Sequence, residues 1–458
     1  MHAEKVSAEL ALQQVSELSD DAVVDLSAFP GRNGWPIVGD GLIFLRDTLG
    51  YMQRMHEQYG PVFRSKMGPF QTLNLIGPEA QKLVLLDTNN NFSTEKGYAT
   101  SLGEFFPKNL LLRDFSDHRK HRRIMQTAFK NQMLESYMPL LHSIIGRHVR
   151  QWADQGEVNF FKAIKSALLE VGSEIFLGLE LGKEAQRVNQ AFIDLALGSS
   201  TPLRYNLPGT PYARAIKAHR YLYDFLRAQI AGKRAGQDTD MFSLFCREKQ
   251  EDGQYFSDDD IVYHISFLLF AAHDTTTSTL LNLLYEMTRN PAWQDRCRTE
   301  LQELDVEHLS YSQLGELEIN SYCFKETLRL YPPVIGMARR SIREFQFGDF
   351  LIPANTMIST STLLTHRLPE LYTNAEEFDP QRFAPDREEH KSHPFAWFPF
   401  GGGAHKCIGL HFAEMLTKVG LFEMLRYYKF DALNHDSNYA YIPFPKPRDG
   451  LPVKVTAL

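Results

Sequence analysis

The sequence predicts one mixed domain that is mainly α-helical. Three observations carry that expectation. Helical periodicity dominates from Asp117 to roughly Leu244, a long apolar helix follows from Ser257 to about Arg289, and strand-like alternation is confined to short runs punctuated by glycine and proline.

Taken in order, residues 1–28 space Leu10, Leu12, Val15 and Leu18 helically but are acidic and show no cap. They are expected to form a flexible N-terminal arm. Pro30-Gly31-Arg32-Asn33-Gly34-Trp35-Pro36 with Gly39 is a dense run of breakers, so the domain is expected to span residues 29–458. Arg64 to Ile76 alternates around a Gly68-Pro69 turn. The helical middle is interrupted by the loop Leu203 to Tyr212, with its three prolines. Ser257-Asp258-Asp259-Asp260 supplies an N-cap and an acidic first turn, and Asn290-Pro291 ends that helix. Short strands are expected between Phe345 and Thr362. No internal repeat interrupts the chain.

Composition narrows the function classes. The 458 residues are 43% hydrophobic with 32 phenylalanines, enough for a large core. The 49 basic and 56 acidic residues give a net charge of -7, which argues against nucleic-acid binding by the chain as a whole. Four scattered cysteines, Cys246, Cys297, Cys323 and Cys407, make neither a disulfide framework nor a Cys-x-x-Cys metal motif, and so fit a reducing compartment. No apolar run reaches the roughly 18 to 20 residues that span a bilayer, and the first residues lack a signal-peptide pattern. The expected location is the cytoplasm.

Phe398-Pro399-Phe400-Gly401-Gly402-Gly403-Ala404-His405-Lys406-Cys407-Ile408-Gly409 sets one cysteine in a glycine-rich loop before the apolar helix Leu410 to Leu425. Glycines let a backbone lie flat against a bulky planar cofactor and aim amide N–H groups at one sulfur. A thiolate there gains from those donors and from the helix N-terminus. Two alternatives stand beside this: a packed structural cysteine, or a phosphate-cradling loop. The latter lacks the following Lys-Ser/Thr and the preceding parallel strand.

A second motif interrupts the long helix, where Phe267-Leu268-Leu269-Phe270-Ala271-Ala272-His273-Asp274-Thr275-Thr276-Thr277-Ser278 passes from apolar residues to small ones, an acid and hydroxyls. A buried mid-helix acid is costly unless paired or used for proton transfer. Ala271 and Ala272 leave room for a ligand to which Thr275 could hydrogen-bond. The competing reading turns Asp274 outward and bonds the threonines to their own helix carbonyls. Lys325-Glu326-Thr327-Leu328-Arg329-Leu330-Tyr331-Pro332-Pro333 adds an i,i+3 ion pair just before two prolines, a feature that alone identifies nothing.

Together these segments resemble the cytochrome P-450 superfamily, in its order and over roughly Pro30 to the C-terminus. Phe400 to Gly409 resembles its haem-binding signature, Glu326-x-x-Arg329 its helix pair, and Ala271 to Thr275 its oxygen-activating motif. Pro380-Gln381-Arg382-Phe383 resembles the segment whose arginine joins that pair, and His118-x-x-x-Arg122 the helix that binds haem propionates. The resemblance implies a mainly α fold, a triangular prism with a small β-rich lobe, holding haem b (iron protoporphyrin IX) between a long central helix and the cysteine loop. Cys407 becomes the iron's thiolate ligand. His118, Arg122, Arg339 and His405 are assigned to the propionates, and Ala271, Phe400 and Gly409 to the cofactor's surroundings. Arg119, Lys120 and His121 are read as ordinary surface cations. Ala272 departs from the family's usual glycine, and its added methyl could narrow the oxygen pocket or alter the groove in the helix.

The implied activity is insertion of one oxygen atom of O2 into a C–H bond or across a double bond. In that scheme Asp274 relays protons, Thr275 hydrogen-bonds at the oxygen site, and Glu326, Arg329 and Arg382 are structural. With no reductase domain recognisable after Cys407, electrons are expected from a ferredoxin or flavodoxin-type donor and its reductase. Arg119, Lys120, Lys406 and Lys418 are candidates for its docking face. Phe105, Phe106, Leu110 to Leu112, Phe267, Phe270, Val334 and Met337 are candidate walls for a hydrophobic substrate. Leu207-Pro208-Gly209-Thr210-Pro211-Tyr212 with Arg214-Ala215 resembles the sterol- and retinoid-oxidising branch, favouring a sterol, terpenoid or lipid. Rival functions are a peroxide-rearranging enzyme, which would not need Asp274 and Thr275, and a haem sensor.

Overall fold

The computed structural model of the protein describes residues 7–18, 24–180, 182–199, 201, 204–250, 253–435 and 438–458. Its framework is helical. The central helix, Asp258–Arg289, begins where Ser257 accepts a hydrogen bond from the Asp260 amide, as its sequence predicts. The acids of its first turn bind it to neighbouring segments: Asp258 pairs with Arg234 at 2.8 Å, and Asp260 with Arg113. From Thr276 to Thr288 every residue of this helix is buried, including the hydroxyls. It therefore crosses the core rather than lying on the surface.

Helices Phe160–Val171, Glu318–Leu330 and Leu410–Leu425 pack around it, with Asn131–Gln155 against the last of these. One continuous apolar cluster joins them, from Phe106 and Leu141 through Leu283 to Phe422. Helices Lys183–Ser199 and Pro211–Ala235 lie against each other and flank the loop predicted between them. Residues 202 and 203 of that loop lie outside the described residues.

The β-rich lobe is a five-stranded sheet in the order Val62–Met67, Phe70–Leu75, Met357–Ser361, Gly336–Ser341 and Phe92–Ser93. Gly68 takes the positive φ of 59° that the predicted turn requires. The strand Gly336–Ser341 was not legible in the sequence, because Pro332-Pro333 and adjacent arginines mask its alternation. It places Arg339 at the lobe's inner boundary.

The first helix, Ala8–Glu17, differs in detail from the sequence reading. Ser7 caps it by accepting from the Leu10 amide at 3.2 Å. Ala11 and Val15 meet Ile342, and Gln14 accepts from Arg343 Nη2 at 2.8 Å, whereas Leu10 is exposed.

Candidate active site

The cysteine loop reaches its shape through close backbone contact. Gly401 and Gly403 adopt φ values of 71° and 62°, and a Cβ on Gly403 would lie 2.0 Å from the Leu85 carbonyl oxygen. The Cys407 amide donates to the Phe400 carbonyl at 2.8 Å, closing the loop just before helix Leu410–Leu425. Cys407 opens onto an internal cavity of about 280 Å³. Burial pushes its thiol pKa up, while the Gly409 amide and the charges of Arg122 and Lys406 pull the other way.

Phe400, Gly409 and His405 line the cavity on the cysteine side, Ala271, Ala272 and Thr275 on the central-helix side, and Arg339 at the lobe. The His118 and His405 rings lie 3.9 Å apart at their centroids, tilted by 33°. His118 Nδ1 is buried and finds no hydrogen-bond partner. Burial, then Arg122 and Arg339, depress the His118 pKa to about 3, and burial with the same cations depresses His405. None of these four groups forms an ion pair with a carboxylate among the described residues. A converging set of guanidinium and imidazole donors calls for an anion. A thiol surrounded by donors likewise suits a bound cation. The residues present therefore fit an iron porphyrin carrying two carboxylates.

Asp274 and Thr275 part company. Thr275 Oγ1 donates to the Ala271 carbonyl at 2.6 Å, on the cavity side. Thr277 and Thr279 bond back in the same way at 2.8 and 2.9 Å, as the competing reading of the threonines expects. Asp274 lines a separate cavity of about 180 Å³, where Lys165 Nζ donates to its Oδ1 at 2.9 Å and His273 Nδ1 lies 3.1 Å away. Burial alone would raise its pKa. His273 and Lys165 outweigh burial and hold it at about 2.

Glu326 and Arg329 are wholly buried, with Arg382 beside them. Arg329 donates to both Glu326 oxygens at 2.7 and 2.8 Å, and Arg382 Nε to Oε1 at 3.0 Å. The three lock helix Glu318–Leu330 to the segment leading into the cysteine loop.

Several expectations are corrected. His121 is no surface cation: it is buried, with Nδ1 2.8 Å from His264 Nε2, while Arg119 and Lys120 are exposed as predicted. Lys418 is buried and donates to the Leu314 carbonyl at 2.7 Å, so it cannot belong to a docking face. Leu111, Val334 and Met337 line the main cavity. Phe106 instead packs on Phe270 and Phe267 at 4.6 and 6.0 Å, and Phe105 on Tyr212 at 5.7 Å. Sequence reasoning missed Tyr98, Phe129, Phe176 and Phe412, which also line it. Their only signal is aromatic character, which core residues share.

The sequence model of cytochrome P450 matches residues 29–442. The chain belongs to the cytochrome P450 family. Cytochrome P450 136 of Mycobacterium tuberculosis is 33% identical to it over 92% of this chain and 87% of that one. A beta-amyrin 28-monooxygenase of Saponaria officinalis is 26% identical over 93% and 90%. The solved structure of retinoic acid bound cyanobacterial CYP120A1 superposes with a TM-score of 0.86 at 27% identity, covering 94% of this chain and 99% of that one. As a P450 the protein is a monooxygenase, and the family implies haem iron, O2, a substrate and a redox partner. Among the described residues no helix of this P450 is long and apolar enough to cross a membrane.

Proposed function

We propose that this P450 holds haem b and oxygenates a hydrophobic terpenoid, retinoid or sterol-like substrate, using electrons from a separate ferredoxin or flavodoxin-type protein and its reductase. The observation that carries the reading is the cavity in which Cys407 faces Ala271 and Thr275, with apolar walls from Leu111, Phe176, Val334 and Met337. In this reading residues 29–458 are one catalytic domain and residues 1–28 its N-terminal arm.

Cys407 Sγ would ligate the iron, with the Gly409 amide donating to the sulfur. His118, Arg122, Arg339 and His405 would hold the two propionates, and Phe400 and Ala271 would flank the ring. When bound, the haem supplies reductive cleavage of O2, one oxygen atom going to substrate and the other leaving as water. Thr275 Oγ1 already donates to Ala271, so its lone pairs are free to accept a hydrogen bond from a water. Asp274, ionised and tied to Lys165, is the residue that would carry protons from the second cavity, after its carboxylate leaves that ion pair. The apolar walls exclude bulk water and orient the guest.

Relatives named for beta-amyrin and for bound retinoic acid support the substrate class. Exposed Arg119, Lys120 and Lys406 on the cysteine side support an acidic electron-transfer partner. The four scattered cysteines of the sequence support a reducing, cytoplasmic setting.

The test is the ferrous carbon monoxide spectrum of purified protein. A Soret band red-shifted to the thiolate position, and lost in Cys407→Ala, is expected. A histidine-type band, or folded protein that takes up no haem, overturns the assignment. Titration with retinoic acid and triterpenes, read as a spin-state shift, then tests the substrate class.

A further inference from the structure

His142, His308 and Glu423 meet away from the Cys407 cavity. His142 lies on helix Asn131–Gln155, Glu423 near the end of helix Leu410–Leu425, and His308 in the connection that precedes Ser312–Glu316. His142 Nε2 is 3.2 Å from the Leu309 carbonyl, which can only accept, so a proton on this nitrogen would complete a hydrogen bond. Nδ1 of the same ring is 2.6 Å from Glu423 Oε1, a second acceptor. A neutral imidazole has one N–H. With that proton directed at Leu309, two lone pairs would face each other across this short gap. Something positive belongs there, either a second proton or a metal ion.

Two further features distinguish these choices. His308 Nδ1 stands 4.0 Å from the same Glu423 oxygen, and its side chain is 61% exposed, so the position is open to solvent. Gly146, one turn along from His142, leaves room for the carboxylate: a Cβ there would lie 2.6 Å from Glu423 Oε2.

We propose that His142 Nδ1, His308 Nδ1 and Glu423 Oε1 bind a divalent transition-metal ion of the zinc class, with water completing the coordination. Metal–ligand bonds near 2.0–2.2 Å place tetrahedral ligand atoms about 3.3 Å apart. The 2.6 Å separation must open, and the 4.0 Å separation close, each by about 0.7 Å. Rotation of the exposed His308 closes the longer gap, and a turn of the Glu423 carboxylate opens the shorter one. The Leu309 carbonyl fills the outer-shell role of fixing the tautomer of a ligating histidine. The ion would tie the connection carrying His308 to both helices. The other histidine cluster, His121, Asp260 and His264, is less open, because Arg113 already pairs with Asp260 and the two imidazoles face each other at 2.8 Å.

The experiment uses untagged holoenzyme, in which haem occupies Cys407, stripped with a chelator and titrated calorimetrically with Zn(II) alone. One equivalent is expected to bind and to raise the unfolding temperature. His308→Ala, an exposed substitution that the fold tolerates, is expected to weaken binding roughly ten- to hundredfold or more while leaving the carbon monoxide spectrum unchanged. Glu423→Gln should weaken it similarly. If wild-type holoenzyme binds no zinc, or His308→Ala binds it equally well, the group is an imidazolium–carboxylate pair and the proposal fails.

Discussion

Lys165 Nζ reaches from helix Phe160–Val171 to Asp274 Oδ1 at 2.9 Å, and so draws the acid of the central helix away from the cavity that its neighbour Thr275 lines. Proton delivery through Asp274 then requires that this ion pair open. Asp274→Asn is expected to lower kcat roughly a hundredfold and to enlarge the solvent isotope effect, with substrate affinity little changed. Lys165→Met leaves the carboxylate held by His273 alone and should leave kcat far closer to wild type. Equal losses in both variants would make the pair structural. Because the Asp274 pKa is held at about 2, below its ordinary 3.8, its titration should be absent from a rate profile taken near neutral pH.

Among the described residues Glu326 is the only anion in contact with both Arg329 and Arg382, whose side chains are fully buried. Glu326→Gln keeps the shape but leaves buried Arg329 without a carboxylate partner and Arg382 with Glu389 alone. Removing one partner of such a network costs about 3–5 kcal/mol. A clear fall in the urea midpoint, with loss of haem-loaded protein during expression, is the expected result. An unchanged midpoint would mean that the backbone carbonyls around Arg329 suffice.

What the sequence discloses follows the range of the interaction. The Ser257 cap, the helix Leu410–Leu425 and the Glu326–Arg329 pair are local, written within four residues or within one periodic stretch, and each is found where the sequence places it. The Cys407 loop is legible for the same reason: its glycines are needed for conformations that the chain adopts there. Lys165 and Asp274 are 109 residues apart, and nothing in either segment names the other. His121 looked like a surface cation because it sits among Arg119, Lys120 and Arg122. Only the approach of the central helix buries it against His264. Side chains that become walls of a cavity, such as Phe129 and Phe412, carry the same apolar signal as those that become core.

Two glycines of the cysteine loop should respond differently to a methyl group. At Gly403 φ is 62° and a Cβ would stand 2.0 Å from the Leu85 carbonyl, so Gly403→Ala must displace backbone. At Gly409 φ is -92°, and the nearest neighbour of a Cβ is Phe129 Cε1 at 3.7 Å. Gly403→Ala is expected to abolish or sharply reduce haem retention, a backbone clash costing at least about 2 kcal/mol. Gly409→Ala keeps its amide donor to Cys407 and should retain haem, with loss of less than about 1 kcal/mol. Haem content per folded chain, read from absorbance, decides between them.

Asp87 offers a test of pH dependence away from the chemistry. It sits at the end of helix Pro78–Leu86, where its carboxylate accepts from the Asn91 amide at 2.6 Å and the Phe92 amide at 3.2 Å. Burial nevertheless pushes its pKa from 3.8 up to about 6, against those amides and the charges of Arg339 and Arg343. The folded state therefore binds this proton more tightly than the unfolded state. Ionised Asp87 costs stability above pH 6, and that cost is relieved as pH falls through 6 toward 4. Two units correspond to at most about 3 kcal/mol. Asp87→Asn cannot titrate, so the difference in unfolding free energy between wild type and variant should change by a measurable part of that amount between these two pH values, in favour of wild type at the acid end. Parallel stability curves across the interval would mean that the two amides and two arginines compensate burial fully.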